Sequence, residues 1–419
     1  MNNHLIPRSP CLFIPTLYFA EGIPYVIVNN VSVIFYKNLG ISNAQIAFWT
    51  SLVYLPWVIK MFWSPFVDSY ATKRSWIIGT QIAMMCCLGL VAVSFQLTNF
   101  FTVSLISLIL AAFISATHDI AADGFYLLAL NTQQQAFFVG IRSVFYKLAT
   151  IFGTGFLVIC AGRLASLVNV TLSWTIVISA SAFIFALLAI FHSVSLPQIE
   201  TSHTSIDKLP FWLIFKSYFR QERIGAIVAF ILLYRLGEAM LLKLVSPFLL
   251  DKPEVGGLGL STAELGLAYG TFGVLSLIIG GLVGGTLIAK YGLKKSILPM
   301  ALAVHLPNLF FVYMAYVQPP KADVYLLVAL DEFGYGLGFT AFSVYLMYIS
   351  RGEYKTSHFA ISTGLMALGM MLPGFVSGYL QQAVGYPVFF ILVCLLTIPG
   401  MIALGFIPLD VENSTSNNL

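Results

Sequence analysis

Charge is scarce in this chain. Charged residues fill 9% of 419 positions, with 21 Lys plus Arg against 17 Asp plus Glu, whereas a soluble domain carries roughly 25%. That scarcity excludes an ordinary soluble enzyme, and a formal net charge of +4 is too small to suit a nucleic acid partner. Cysteine is equally thin. Cys11, Cys86, Cys87, Cys160 and Cys394 lie in apolar surroundings without metal-ligand spacing, so they read as helix packing and not as a metal centre. Nor does any glycine-rich stretch end in the Lys-Ser/Thr pair of a phosphate loop. Gly280-Gly281 with Gly284-Gly285, and Gly334 with Gly336 and Gly338, read instead as places where helices approach closely. No cofactor is expected. The apolar run near the start lacks a small-residue cleavage site, which predicts an uncleaved first helix.

What the chain has in abundance is apolar length. Hydrophobic residues reach 59% and mean hydropathy is +0.90, the composition of a polytopic, all-α membrane protein. A spanning helix needs ~20 mainly apolar residues, and on that criterion the chain divides into twelve: 11–36, 44–67, 75–96, 101–127, 136–161, 170–193, 223–250, 262–289, 296–317, 323–349, 357–382 and 386–408. The one long polar connection, residues 195–222, separates a half at 1–194 from a half at 223–419. Within that linker Ile206 to Phe219 mixes aromatic, aliphatic and basic residues and is expected to lie along the membrane surface. With both termini cytoplasmic, twelve loop Lys and Arg fall inside against Lys37, Arg163, Lys252 and Lys321 outside, and the positive-inside rule favours that orientation.

The halves repeat. Leu39-Gly40-Ile41-Ser42-Asn43-Ala44-Gln45-Ile46 recurs as Leu258-Gly259-Leu260-Ser261-Thr262-Ala263-Glu264-Leu265, Lys73-Arg74-Ser75 recurs as Lys294-Lys295-Ser296, and the Gly153 region recurs near Gly374. Three matches in the same order, displaced by about half the chain, indicate parallel repeats, as in the two six-helix halves of the major facilitator fold.

Against this apolar background the few interior charges stand out. Ala116 to Tyr126 places Asp119 and Asp123 inside the fourth span, and other spans carry Glu21, Arg142, Lys147, Arg235, Glu238, Asp331 and Glu332. Intramembrane charges are costly and mark substrate or ion pathways. At 1.5 Å per residue, Glu21, Lys147, Arg235 and Asp331 or Glu332 fall near the bilayer midplane, where sites of this fold lie. Asp119 and Asp123, four apart, share a helix face, as do Arg235 and Glu238. Lys147 and Arg235 are prospective partners for Asp119, while Arg142 is placed to pair with Asp119 or Asp123. Lys60 and Lys243 lie toward helix ends, where snorkelling accounts for them. His118 suits a proton shuttle or a packing role. A metal-dependent membrane enzyme built on Asp119 and Asp123 is the remote alternative, since two carboxylates alone make a poor metal site.

Trp63-Ser64-Pro65-Phe66-Val67-Asp68 followed by Lys73-Arg74-Ser75-Trp76, Ala116-Thr117-His118-Asp119-Ile120-Ala121-Ala122-Asp123, Tyr146-Lys147-Leu148, Tyr234-Arg235-Leu236-Gly237-Glu238-Ala239 and Glu332-Phe333-Gly334-Tyr335-Gly336-Leu337-Gly338 form an ordered set over nearly the whole chain. In this set the chain resembles the muropeptide permease (AmpG) branch of the major facilitator superfamily, with its acetyl-CoA and siderophore transporter relatives. The resemblance implies a proton-coupled importer of anhydro-muropeptides in a bacterial inner membrane, working as a monomer. The alternative is a permease for another bulky anion such as a siderophore or acetyl-CoA. Asp68 with Lys73 and Arg74 resembles the superfamily's gating signature; the second half keeps Lys294 and Lys295 but has Ala289 at the position of the Asp. His118, where the family more often shows Gln, Glu21, where the permeases carry a small residue, and Gly124 depart from the pattern.

Overall fold

A computed structural model describes residues 9–199, 211–350 and 355–409. Every regular element among them is helical. The crossings are α1 (Pro10–Asn38), α2, α3 (Lys73–Ser94), α4 (Phe100–Ala129), α5 (Gln133–Ala165) and α6 (Val170–Ser195), where α2 runs in pieces over Asn43–Leu52, Leu55–Ile59 and Ser64–Tyr70. A short helix, α7 (Phe211–Tyr218), precedes α8 (Ile224–Leu250), α9 (Thr262–Tyr291), α10 (Leu293–Val317) and α11 (Lys321–Ile349). The last continuous stretch, Lys355–Leu404, contains Gly385 at φ 73° and ψ 168°. Gly369 and Gly400, on opposite sides of Gly385, abut neighbouring backbone of α8, at Leu232 and at Leu233 respectively, so the chain reverses there into α12 before the glycine and α13 after it.

By length and composition nine described helices suffice to cross a membrane. Gly385 divides one of them, and α2 and α11 complete the twelve expected crossings. The helix breaks take α2 out of a simple count, and Asp331 and Glu332 lower the hydropathy of α11. Large apolar side chains such as Phe183, Ile190 and Leu282 are more than 60% exposed, which suits a hydrocarbon solvent and not water. On α7, Trp212 is 77% exposed while Ile214 and Tyr218 pack under it against Ile361. This is an amphipathic helix in the described part of the expected interfacial segment.

Contacts sort the chain into two compact units, one of residues 1–41, 53–207 and 261–271, the other of 42–52, 208–260 and 272–419. The boundary therefore cuts α2 and α9. In the first unit Phe13, Leu17 and Tyr18 of α1 pack on Ala121, Ala122, Phe125 and Tyr126 of α4. In the second, Phe230 and Tyr234 of α8 pack on Ala341, Phe342 and Tyr345 of α11 and Met300 and Val304 of α10.

The glycines act as close-contact points. A Cβ on Gly280 would lie 2.2 Å from Phe333 O, one on Gly336 2.2 Å from Leu277 O, and one on Gly334 2.0 Å from Ala303 O, so α9, α10 and α11 meet backbone to backbone, as small residues permit in membranes.

Several crossings are interrupted at depth. π-helical segments occupy Ile27–Val31 of α1, Ile151–Leu157 of α5 and Gly266–Gly273 of α9, a distortion frequent at functional sites. α8 breaks at Tyr234 and Arg235, and α10 breaks between His305 and Asn308, where Pro307 has no N–H to continue the ladder.

Candidate functional site

The first unit assembles its charges on α1, α2, α4 and α5. Gly22 lets α1 and α5 approach, since a Cβ there would lie 2.7 Å from Ala149 Cβ. Across that contact Arg142 reaches Asp123. Its Nη1 lies 3.2 Å from Asp123 Oδ1 and 2.9 Å from Tyr18 Oη, and Tyr18 donates to the same carboxylate oxygen at 3.0 Å. The guanidinium also sits 4.9 Å from the Tyr18 ring centroid and 5.1 Å from that of Tyr126, a cation–π arrangement that limits its rotation.

One turn away along α4, Asp119 accepts from Trp57 Nε1 at 3.1 Å and faces Lys60 Nζ at 3.7 Å. Lys60 therefore turns inward to a carboxylate, which corrects the snorkelling expectation. The reason is the broken course of α2: the 3₁₀ turn Lys60–Phe62 rotates Lys60 out of simple helical register. Glu21 on α1 has a buried Oε2 with no hydrogen-bond partner, and its charge interacts with those of Asp119, Asp123, Lys60 and Arg142. Aromatic rings surround the group. Tyr25 lies 5.2 Å from Trp57 and 6.3 Å from Tyr146, and its hydroxyl is 3.2 Å from that of Tyr54. Lys147, half-buried, follows Tyr146 on α5.

His118 points to the other side of α4. Its Nε2 is 3.1 Å from Gln81 Nε2, Gln81 contacts His192 Nδ1 at 2.8 Å, and His192 Nε2 meets Thr16 Oγ1 at 3.0 Å. This buried chain braces α1, α3, α4 and α6.

In the second unit Arg235 occupies the break in α8. It donates to Tyr335 Oη, and its guanidinium lies 5.3 Å from the ring centroids of both Tyr335 and Phe339. Glu238, Asp331 and Glu332 are buried, and the charge of Asp331 interacts with those of Glu238 and Glu332. Beside them, His305 packs 5.1 Å from Tyr234. Both ring nitrogens of His305 and both amide atoms of Asn308 are buried without partners in the structure. Lys243, also expected to snorkel, instead donates to Thr50 Oγ1 at 3.2 Å.

Of the residues expected at the gate, Lys73 is buried with its alkyl chain against Gly124, where a Cβ would come within 2.7 Å of Lys73 Cε. Arg74 caps the end of α6, donating from Nε to Leu196 O at 3.1 Å and from Nη2 to Ser193 O. The side chain of Asp68 lies outside the described residues. Among the described residues no three His, Cys, Asp or Glu side chains gather as metal ligands. Sequence reasoning missed Trp57 and the inward turn of Lys60; a Lys only three residues beyond a Trp in an otherwise apolar run was the available signal.

A sequence profile described as Major Facilitator Superfamily matches residues 231–418. The putative transporter AmpG 4 of Rickettsia conorii is 24% identical over 93% of this chain and 94% of its own length. The putative transporter AmpG 2 of Rickettsia felis is 27% identical over 96% of both chains. The D-xylose-proton symporter has the same fold, with a TM-score of 0.73 at 12% identity over 95% of this chain and 97% of its own. The nucleoside transporter NupG gives 0.68 at 16% identity over 94% and 98%. The superfamily profile thus matches the second half of the chain, the fold is that of major facilitator transporters, and near-full-length similarity to named transporters marks a multi-pass membrane transporter. The chain is similar to the AmpG transporters, and also to the anhydromuropeptide permease of Escherichia coli K12, at 24% identity over 95% of this chain and 79% of that protein.

Proposed function

We propose that this transporter imports anhydro-muropeptides, or related amino-sugar peptides, with protons across the bacterial cytoplasmic membrane. Near-full-length similarity to AmpG transporters and to an anhydromuropeptide permease carries the reading. Residues 1–194 and 223–419 act as halves that rock in alternating access, joined by the linker 195–222, with both termini cytoplasmic. Lys147 and Arg235 receive the anionic groups of the substrate, and Tyr18, Tyr25, Trp57, Tyr126 and Tyr146 offer rings to its sugars. Glu21 and Asp119 carry the coupled proton. Support for this comes from the unpartnered Glu21 Oε2 and from Lys60 facing Asp119 at 3.7 Å. When Lys60 withdraws, Asp119 loses its counter-charge and accepts a proton; when Lys60 returns, the proton leaves. Asp123 and Arg142, held by Tyr18, complete the path toward the cytoplasm, Glu238 and Glu332 extend it in the second unit, and Asp68, Lys73 and Arg74 act at the cytoplasmic gate.

Uptake of labelled anhydro-muropeptide into proteoliposomes under an imposed inward proton gradient tests the reading. Saturable, gradient-dependent uptake is expected. Competition by a siderophore or by acetyl-CoA, with no effect of excess muropeptide, would transfer the substrate assignment to that class, and uptake indifferent to the gradient would remove proton coupling.

A further inference from the structure

At the end of the second unit where α2 begins and α8 ends, four side chains form one hydrogen-bonded knot. Asn43, the first residue of α2, donates from Nδ2 to Gln381 Oε1 at 2.9 Å and to Tyr386 Oη at 2.8 Å, and lies 3.4 Å from Asp251 Oδ2. Tyr386 in turn donates to Asp251 Oδ2 at 2.7 Å. The directions are consistent: the tyrosine proton goes to the carboxylate, leaving its lone pair for the amide. Asn43, Gln381 and Tyr386 are at least nine-tenths buried.

Below the knot a seam of small residues continues. A Cβ on Gly378 would lie 2.4 Å from Asn43 O and 2.6 Å from Ala44 Cα, and one on Gly374 would lie 2.2 Å from Ser51 Oγ. Phe48 packs 5.2 Å from Phe375, and Lys243 bonds to Thr50. The first piece of α2 thus lies along α12 at backbone distance, although its sequence neighbours on both sides belong to the first unit.

With residues 1–194 and 223–419 moving as the halves proposed above, α2 and α12 belong to different halves, and the seam between them parts on one side of the membrane in each cycle. Small residues give close packing but little that is directional. A polar knot at the end of the seam supplies the directional part, because its groups lose their partners together when α2 leaves α12. We propose that Asn43, Asp251, Gln381 and Tyr386 are the clasp that holds the outer side of the transporter shut, with Asn43 as the hub and Tyr386 as the positioning residue that orients Asp251. This rests on the two halves and the orientation proposed above and is independent of which substrate is carried.

The clasp is tested by spin-label distances between positions 37 and 252, introduced as Lys37→Cys and Lys252→Cys after Cys11 and Cys86, the exposed cysteines, are replaced by serine. In Tyr386→Phe and Asn43→Leu the long-distance, outward-open population is expected to rise about tenfold, the factor of an ordinary buried hydrogen bond, while Gln381→Asn moves it less. Uptake by the same variants should change in KM and kcat together, as expected when a resting conformation is destabilised. As a complement, Asn43→Cys with Gln381→Cys, without the spin labels, is expected to crosslink on oxidation and to stop exchange of substrate until reduced. Unchanged distance distributions in Tyr386→Phe and Asn43→Leu proteins of wild-type thermal stability would overturn the proposal. So would undiminished transport by the fully crosslinked protein, a readout that stands even where the single variants fail to fold.

Discussion

The two units handle interior charge in different ways. In the first, cations meet carboxylates: Arg142 is 3.2 Å from Asp123 and Lys60 is 3.7 Å from Asp119. In the second, Arg235 lies over the rings of Tyr335 and Phe339 with the charge of Glu238 also acting on it, while Asp331 is buried close to Glu238 and Glu332. A partly buried pair holds its geometry at rest and costs less to break than a fully buried one, whereas carboxylates buried together are tolerated when protons or cations offset them. Under the proposed mechanism, exchange of partners belongs to the first unit, and the second presents a cation oriented by aromatic rings.

The largest effect is expected where a pair is broken outright. Asp119→Asn leaves Lys60 without its carboxylate; removal of one partner of a buried pair costs about 3–5 kcal/mol, and the 39% exposure of the Lys60 side chain places the loss of thermal stability below that range. Gradient-driven uptake should fall ~100-fold, equivalent to about 2.7 kcal/mol on the transport barrier. Adding Lys60→Met should restore the melting temperature but not uptake. If it restores both, the pair is structural and the contrast between units disappears.

Arg142→Lys comes next. The ammonium keeps the charge but loses the planar contacts to Tyr18 and Tyr126, and a loss of about tenfold in kcat is expected from the fork and stacking geometry. The same change at Arg235 should cost about fivefold, and the cost should appear in KM more than in kcat, because the proposed role there is to receive an anion. Equal effects on kcat at both positions would erase the distinction drawn between switching and holding.

Much of the fold was legible in the sequence because its causes are local. Apolar runs of spanning length, the basic linker and the recurrent Leu-Gly-x-Ser segments are patterns within single stretches, and the glycines at 280, 334 and 336 mark close helix contacts as expected. The pairing of Arg142 with Asp123 was one of two options left by helix spacing. Lys60 was not legible, because its direction depends on the 3₁₀ turn in α2 and on a carboxylate distant in sequence. The same holds for Asn43, whose partners Asp251, Gln381 and Tyr386 are brought to it by tertiary packing alone.

The smallest effect concerns the interior of the second unit. His305 and Asn308, either side of the break in α10, bury four polar atoms without protein partners. Leaving a buried polar atom unsatisfied costs about 1–3 kcal/mol, so replacing Asn308 by Leu in a dry site should leave the melting temperature unchanged or raise it by a degree or two, with transport intact. A wet site gives the opposite sign, since ordered water bound to these atoms would be lost and the melting temperature would fall. Thermal unfolding of Asn308→Leu beside wild type therefore decides whether the aromatic and acidic region around Arg235 is closed packing or the wall of a hydrated path. A fall accompanied by weaker uptake would extend that path to α10, and would bring the second unit closer in character to the first.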